Sequence, residues 1–269
     1  MNNNSANYEN GFYNQTVHYY DECASLYDYL YPDHLRYSKS LFKILKPMFL
    51  ASNVNKILDA SCGVGHDMTC LIEQGFTVDG ADICPHMVEE AKWRLRKNGD
   101  NVSQLYQTDV RILSNVVGTG KYDAVVFRGN TFSNIHPEEH DNVISELIKV
   151  LKVNGTICID FRNGSEQFKN KRKFEFRGFG YSKNNNEMFI SYYIYKHSNN
   201  INKPYDVFAY IWKLKYNHIC CSKINIKSHY VDEDNIIKSL NRKNIDFQVI
   251  NIKRGGLRFI KTLFCDRKD

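Results

Sequence analysis

Apolar and polar positions follow two rhythms along the chain. Over residues 19–50 apolar side chains recur at helical spacing, with a break at Pro32. After a polar turn, the apolar run at residues 56–61 predicts a strand. Residues 66–74 predict a helix ended by Gly75, which takes the left-handed turn after a helix without steric cost. Residues 76–82 alternate and predict a second strand. Pro85 opens a helix to about Lys97, closed by Asn98 and Gly99; at the first turn proline's missing N–H is not needed. Residues 102–106 form a weak third strand and residues 122–128 a strongly apolar fourth. A helix over 137–151, stopped by Asn154 and Gly155, leads to a fifth strand over 156–160. Strands alternating with helices of this length predict an α/β chain with a parallel sheet covered on both faces.

After Gly164 the pattern changes. Residues 174–196 and 205–230 are rich in Tyr, Phe and Ile and are broken by Asn-rich turns at 184–186 and 199–202. They predict antiparallel strands inserted into the α/β pattern as a lid. Residues 232–243 read as a helix with Asp232 at its start, and 247–252 and 257–264 as two closing strands. The chain thus divides into a helical cover (1–50), an α/β core (51–165), an antiparallel insertion (166–230) and a closing segment that rejoins the core (231–269).

The first strand feeds a glycine turn, Ser61-Cys62-Gly63-Val64-Gly65, which in turn feeds a helix. Such a turn lets a ligand approach the backbone closely. A dinucleotide fingerprint has a third glycine at position 68, where this chain has Met68, and no Gly-Lys-Ser/Thr follows to make a phosphate loop. Asp82 ends the second strand, placed to accept both hydroxyls of a ribose. Asp109 follows the third strand beside Thr108 and Val110, where a polar side chain meets an adenine edge. Arg162 follows the fifth strand on the same rim; a guanidinium there grips a carboxylate with two parallel bonds. Asn130 ends the fourth strand. Tyr20 and Tyr27, seven residues apart, would share one face of a helix, placed to close over the cofactor or touch the substrate, with core packing of that helix as the alternative. His136 and His140 are four apart, but Pro137 marks a helix start there, and a solvated turn is the reading. His66 and His86 lie near the turns, placed to act as bases if the acceptor were a hydroxyl.

Composition narrows the partners. The chain has 269 residues, 36 Lys plus Arg against 30 Asp plus Glu, and a net charge of +6 spread along its length rather than gathered in a stripe. A nucleic-acid binder more often concentrates that charge. The first ten residues are polar and Asn-rich, without a signal peptide's basic and apolar regions, and no run approaches a membrane span, which points to the cytosol. The eight Cys show no zinc spacing, so no metal is expected. Aromatics are abundant, with 18 Tyr and 16 Phe, and they concentrate in the cover and the insertion.

Leu58, Asp59, Cys62, Gly63 and Gly65 spell LDxxCGxG, and through them the chain resembles the class I S-adenosylmethionine-dependent methyltransferases, over residues 19–165 and more loosely over 230–264. The resemblance implies a Rossmann-like seven-stranded sheet with its last strand antiparallel, and S-adenosylmethionine as cofactor. It places Asp59, Ala60, Ser61, Cys62, Gly63 and Gly65 at the methionine part, Asp82 at the ribose, Ile83 and Met87 around the adenine, and Thr108, Asp109 and Val110 on it. Arg128, Tyr20 and Tyr27 join the same set, and Arg36 stands at the spacing of an arginine that contacts the cofactor carboxylate.

Three stretches are similar to the glycine and glycine/sarcosine N-methyltransferases: Phe127-Arg-Gly-Asn-Thr-Phe132, Ile159-Asp-Phe-Arg-Asn163 and Tyr19-Tyr-Asp-Glu-Cys-Ala-Ser-Leu-Tyr-Asp28. They imply that Asn130 and Arg162 hold a substrate carboxylate, with Asn163 and Tyr27 beside them. Arg128, Asn134 and Phe161 depart from that family's pattern, which touches the acceptor more than the reaction. The expected activity is methyl transfer to a small amino acid or amine; O-methylation of a metabolite is the alternative. A nucleic-acid methyltransferase would carry Asn/Asp-Pro-Pro-Tyr/Phe where this chain has Arg128-Gly-Asn-Thr131.

Overall fold

The computed structural model describes residues 3–97, 104–182, 186–216, 218–254 and 258–267. In chain order the elements are α1 (Asn3–Cys23), α2 (Tyr27–Leu30), α3 (His34–Ala51), β1 (Lys56–Asp59), α4 (His66–Ile72), β2 (Thr77–Asp82), α5 (Pro85–Lys97), β3 (Leu105–Gln107), α6 (Leu113–Val117), β4 (Tyr122–Phe127), α7 (His140–Val150), β5 (Leu151–Arg162), α8 (Gly164–Asn170), β6 (Phe174–Ser182), β7 (Glu187–Lys196), β8 (Tyr205–Lys215), β9 (His218–Ser228), α9 (Glu233–Arg242), β10 (Ile245–Arg254) and β11 (Arg258–Arg267).

Two sheets result. The larger has the order β10-β11-β5-β4-β1-β2-β3, with β11 antiparallel to both β10 and β5 and the pairs from β5 to β3 parallel. The strand order reverses at β1, and β1 is where the glycine turn begins. Alternation sorts each strand between two cores. Leu58, Val125, Phe127 and Ile157 pack with α6, α7 and α9 through Val117, Leu147 and Leu240. Ile57, Ala124, Val126 and Cys158 pack on the opposite face with Leu45 and Phe49 of α3, Met68 of α4 and Leu95 of α5. Burying each such Leu or Phe is worth roughly 1.5–3 kcal/mol, so both faces are firmly covered.

The second sheet, β6-β7-β8-β9, is antiparallel throughout. Its inner face meets the cover in a third core, where Tyr193, Ala209, Ile211 and Ile226 pack with Tyr19, Cys23 and Leu30, and with Met87 of α5. Backbone bonds tie the insertion to the rim of the large sheet: His229 N donates to Ser133 O at 2.7 Å and Gly164 N to Val231 O at 2.9 Å.

Several boundaries differ from the sequence reading. Helix α1 begins at Asn3 rather than near Tyr19. Its Asn-rich start has weak helix propensity, so the sequence carries little helical signal there. The chain leaves α1 at Cys23 and turns through a short 3₁₀ segment, so Tyr27 starts α2 instead of sharing α1 with Tyr20. Strand β5 takes in Leu151–Gly155, which the sequence assigned to a helix end and a stop; the β4 register shifts between Tyr122 and Ala124 to accommodate it. Helix α8 was not anticipated: Asn163 caps it, its Oδ1 accepting from Glu166 N at 3.0 Å. Asn98, Gly99, Val102, Asn184 and Leu257, named in the sequence reading, lie outside the described residues.

Candidate active site

The glycine turn is fixed before any ligand is considered. Ala60 N donates to Val126 O at 2.8 Å and Cys62 N to Ala81 O at 3.0 Å, which hangs the turn between β4 and β2. Gly63 and Gly65 sit at φ +51° and +82°, backbone that L side chains rarely adopt. A Cβ on Gly65 would press on Ala91 Cβ at 3.3 Å, so this glycine seats α4 against α5. At Gly63 a Cβ would meet nothing within 4 Å, so the turn faces open space. The third close approach of a dinucleotide turn is replaced here: a Cβ on Gly80 would lie 2.5 Å from Met68 Sδ, so Met68 lies over a glycine of β2.

That open space belongs to a cleft of about 1240 Å³ including its mouth. Asp59, Ala60, Ser61, Cys62, Gly63 and Val64 form its floor. Asp82, Ile83, Met87, Thr108, Asp109 and Val110 line one end. Tyr13, Thr16, Val17 and Tyr20 close it from above, one stripe of α1 at helical spacing, and Tyr27 adds to this roof. The sequence reading began its helix at Tyr19 and so missed Tyr13, Thr16 and Val17; their i, i+3, i+4, i+7 spacing was the available signal.

Asp82 Oδ2 accepts from Gly63 N at 2.9 Å and Oδ1 from Cys84 N at 3.0 Å. Burial raises its carboxyl above the ordinary range and these backbone donors oppose the rise. A carboxylate has about four lone-pair sites, so acceptor capacity remains for a ribose diol. Asp109 lines the same end of the cleft. Its Oδ2 is held by Arg111 Nε at 2.9 Å and Nη2 at 2.7 Å, and Arg111 stacks under the Tyr13 ring at 4.8 Å. Asp109 thereby positions an arginine and tyrosine wall, with acceptor capacity left on Oδ1 beside the bond from Arg111 N at 2.8 Å.

Asp59 is the telling group. It is 2% exposed, and among the described residues its Oδ2 has no hydrogen-bond partner. Burial, then the charge of Asp67, pushes its carboxyl well above the usual range. A buried, unpartnered carboxylate oxygen in a cleft fits a ligand that brings a cation or a donor. The α-ammonium of S-adenosylmethionine is such a group, so the residues present fit this cofactor. Arg128 balances the neighbouring acids: it is 4% exposed, pairs with Asp67, and lies 3.2 Å from Asp160 Oδ2. Ser38 donates to Asp67 as well.

Burial raises the phenols of Tyr20 and Tyr27 well above their ordinary range, so both stay neutral. Asn134 Nδ2 donates to Tyr20 Oη at 2.7 Å and fixes that ring over the cleft. His66 also lines the cleft, 3.1 Å from Asp28 through Nε2, and burial, then the charge of Arg94, lowers its pKa to about 4. His86 does not line it and pairs with Asp21 at the surface. His140 is buried, with Nε2 against Phe132 O at 3.0 Å, rather than in a solvated turn.

The expected substrate residues part company with this cleft. Arg36 does not line it: its side chain is 80% exposed and pairs with Asp33. Asn130 is at φ +62°, and its carboxamide is engaged. Its Oδ1 accepts from Arg162 N at 2.8 Å and its Nδ2 donates to Ser133 Oγ at 2.9 Å. It ties the end of β4 to that of β5 and is not turned into the cleft. Gly65 acts through packing, as above. Arg162 and Asn163 line a second pocket, about 860 Å³ including its open mouth, with Glu166, Glu175, Tyr195 and Tyr205. Arg162 Nε is buried there without a hydrogen-bond partner among the described residues.

Residues 57–155 match the methyltransferase domain family. A glycine/sarcosine N-methyltransferase of Parasynechococcus marenigrum is 35% identical over 108 residues, 40% of this chain and 38% of the relative. A glycine N-methyltransferase of Mus musculus is 28% identical over 119 residues, 40% of this chain and 41% of the relative. The matched stretch thus spans about two fifths of these curated relatives. A solved S-adenosylmethionine-dependent methyltransferase from Clostridium acetobutylicum superposes with a TM-score of 0.71 at 15% identity, covering 93% of this chain and 99% of that one. A sugar N-methyltransferase from Streptoalloteichus superposes with a TM-score of 0.67 at 12% identity, covering 87% of each. The domain match identifies residues 57–155 as a methyltransferase domain, and the sheet that carries the glycine turn over Asp59 has the fold of the solved S-adenosylmethionine-dependent methyltransferases.

Proposed function

We propose that the protein is an N-methyltransferase acting on a small amine, with a glycine- or sarcosine-like amino acid as the acceptor class. The observation that carries this reading is the composition of one cleft. An unpartnered carboxylate oxygen of Asp59 lies beneath it, and Tyr20 and Tyr27, neutral phenols, lie above it. When bound, S-adenosylmethionine supplies a methyl group on a sulfonium, activated because a neutral thioether leaves. The chain's work is then to align and to exclude water. Asp59 and Asp82 hold the two ends of the cofactor. The α1 stripe shuts the cleft from solvent. An amine that has lost its proton to solvent needs no strong base, and its nitrogen gains positive charge as it is methylated; aromatic faces favour that charge.

For an amino-acid acceptor, the second pocket is the place for the carboxylate, with Arg162 Nε as its unused donor and Tyr195 and Tyr205 as walls. Steady-state kinetics test this. Arg162→Ala is expected to raise the acceptor KM by roughly tenfold or more, the cost of about 1.4 kcal/mol of lost binding, and to leave the cofactor dissociation constant unchanged. A rise in both, or in neither, contradicts the assignment.

A further inference from the structure

Among the described residues, three histidines gather where the segment after β4 meets the end of the insertion. His140 is buried, and its Nε2 donates to the backbone oxygens of Phe132 at 3.0 Å and Ile135 at 3.2 Å. Burial lowers its pKa. His229 is 3% exposed, and burial, then the charges of His136 and His140, lowers its pKa to about 3. Both are neutral imidazoles at neutral pH. His136 differs. It lines the cleft, with its ring 5.1 Å from that of His229, where the sequence predicts a solvated turn. Ile135 and His136 are extended, at φ −120°, ψ 140° and φ −60°, ψ 136°. Side chains two apart on an extended segment share a side, so His136 stands on the same wall as Asn134, which holds Tyr20 over the cleft. Its Nδ1 is buried without a hydrogen-bond partner among the described residues and lies 3.9 Å from Oε2 of Glu138, whose side chain is 81% exposed.

We propose that His136 takes the proton that the acceptor's nitrogen must lose, and that Glu138 leads it on to solvent. This role rests on the amine reading of the acceptor. An amine enters chiefly as an ammonium, which has no lone pair to attack with. Under the roof of α1, which keeps water out, that proton needs a group to receive it. Burial disfavours the ammonium and brings its pKa down toward that of an imidazole. His136 accepts the proton and leaves the electron pair on nitrogen. That pair forms the N–C bond as the S–C bond breaks with its electrons on sulfur, and the imidazolium returns its proton to water beside Glu138. The other polar groups of the cleft are engaged elsewhere. Burial keeps Tyr20 and Tyr27 protonated. His34 contacts Tyr27 and Asp67, and His66, with its pKa near 4, is a weak base. Glu139 sits in the field of Arg111 at the adenine end. Around the His136 ring, Glu138 favours the protonated form, while His140 and His229 stay neutral.

Initial rates with glycine and sarcosine across pH 6–9 test this role. Wild-type kcat is expected to fall along an acid limb as one group is protonated. His136→Gln is expected to lower kcat roughly hundredfold and to flatten that limb, with acceptor KM changed less than about threefold. The S-adenosylmethionine dissociation constant, read by calorimetry, is expected to stay the same. Added imidazole is expected to restore part of the rate to His136→Ala. Glu138→Gln is expected to move the limb to lower pH, since losing its charge disfavours the protonated ring. A His136→Gln variant with wild-type kcat and limb overturns the proposal. So does a fall in rate matched by an equal loss of cofactor affinity and not rescued by imidazole, which marks a packing role. Should the His136 variants fail to fold, an unmoved limb in the exposed Glu138→Gln overturns it instead. No label on glycine or sarcosine nitrogen in the wild type refutes the amine reading itself, whereas label on nitrogen with an unaltered His136→Gln refutes the histidine alone.

Discussion

Asp59 carries the sharpest conflict between folding and binding. Its carboxyl is buried beside Asp67 and lacks a partner for one oxygen, an arrangement that lowers stability and persists where a ligand repays it. Asp59→Asn is therefore expected to weaken S-adenosylmethionine binding at least tenfold by isothermal titration while leaving the melting temperature unchanged or higher; weaker binding with a large fall in melting temperature would mark Asp59 as structural. His66 makes a second test at this scale. Its folded pKa is about 4 against an ordinary 6.5, so the unfolded chain takes up a proton first as pH falls. Stability present above pH 6.5 should then be lost progressively down to about pH 4, and denaturant melts at several pH values should show a smaller loss in His66→Gln. At this scale the sequence revealed the floor of the cleft, because Asp59, Gly63 and Asp82 are set by local strand-and-turn geometry. It misplaced Arg36 and Asn130, since whether a polar side chain reaches a ligand or satisfies a neighbouring strand depends on packing across the rim.

At the scale of elements, the α/β alternation was legible because its periods are clean and its boundaries at Gly75 and Pro85 are marked. Less legible was α1, whose polar start has no strong propensity and whose useful face shows only against the cleft. The pairing of Met68 with Gly80 was also hidden, as it joins a helix and a strand far apart in sequence. Met68 looked like a departure from a glycine pattern; in the fold it packs over a glycine of the adjacent strand. Gly80→Ala would bring a Cβ to 2.5 Å from Met68 Sδ and 2.7 Å from Leu105 Cδ2. Overpacking of this kind costs about 1–3 kcal/mol, which urea denaturation would resolve, and Met68→Ala in the same chain should recover part of the loss. If Gly80→Ala is neutral, the close approach does not constrain the sequence there.

In the whole molecule, the aromatics that stood out in the composition fall into two layers. One lines the roof of the cleft and its contact with the insertion, through Tyr19, Tyr20, Tyr27 and Tyr193. The other covers the outer face of the same sheet. The insertion therefore joins the cofactor cover on one side to an apolar surface on the other. Its two-sided character was not legible from composition, which reports how many aromatics there are and not which face each one takes. The central claim is that a methyl group passes from S-adenosylmethionine to an amine in the cleft above Asp59. Its most direct test is incubation of the protein with methyl-labelled cofactor and a panel of glycine, sarcosine, other amines and hydroxylated acids, with the labelled product located by NMR. The account predicts label on nitrogen of an amine, abolished by Asp59→Asn at limiting cofactor; label found only on oxygen, or no transfer to any amine, would contradict it.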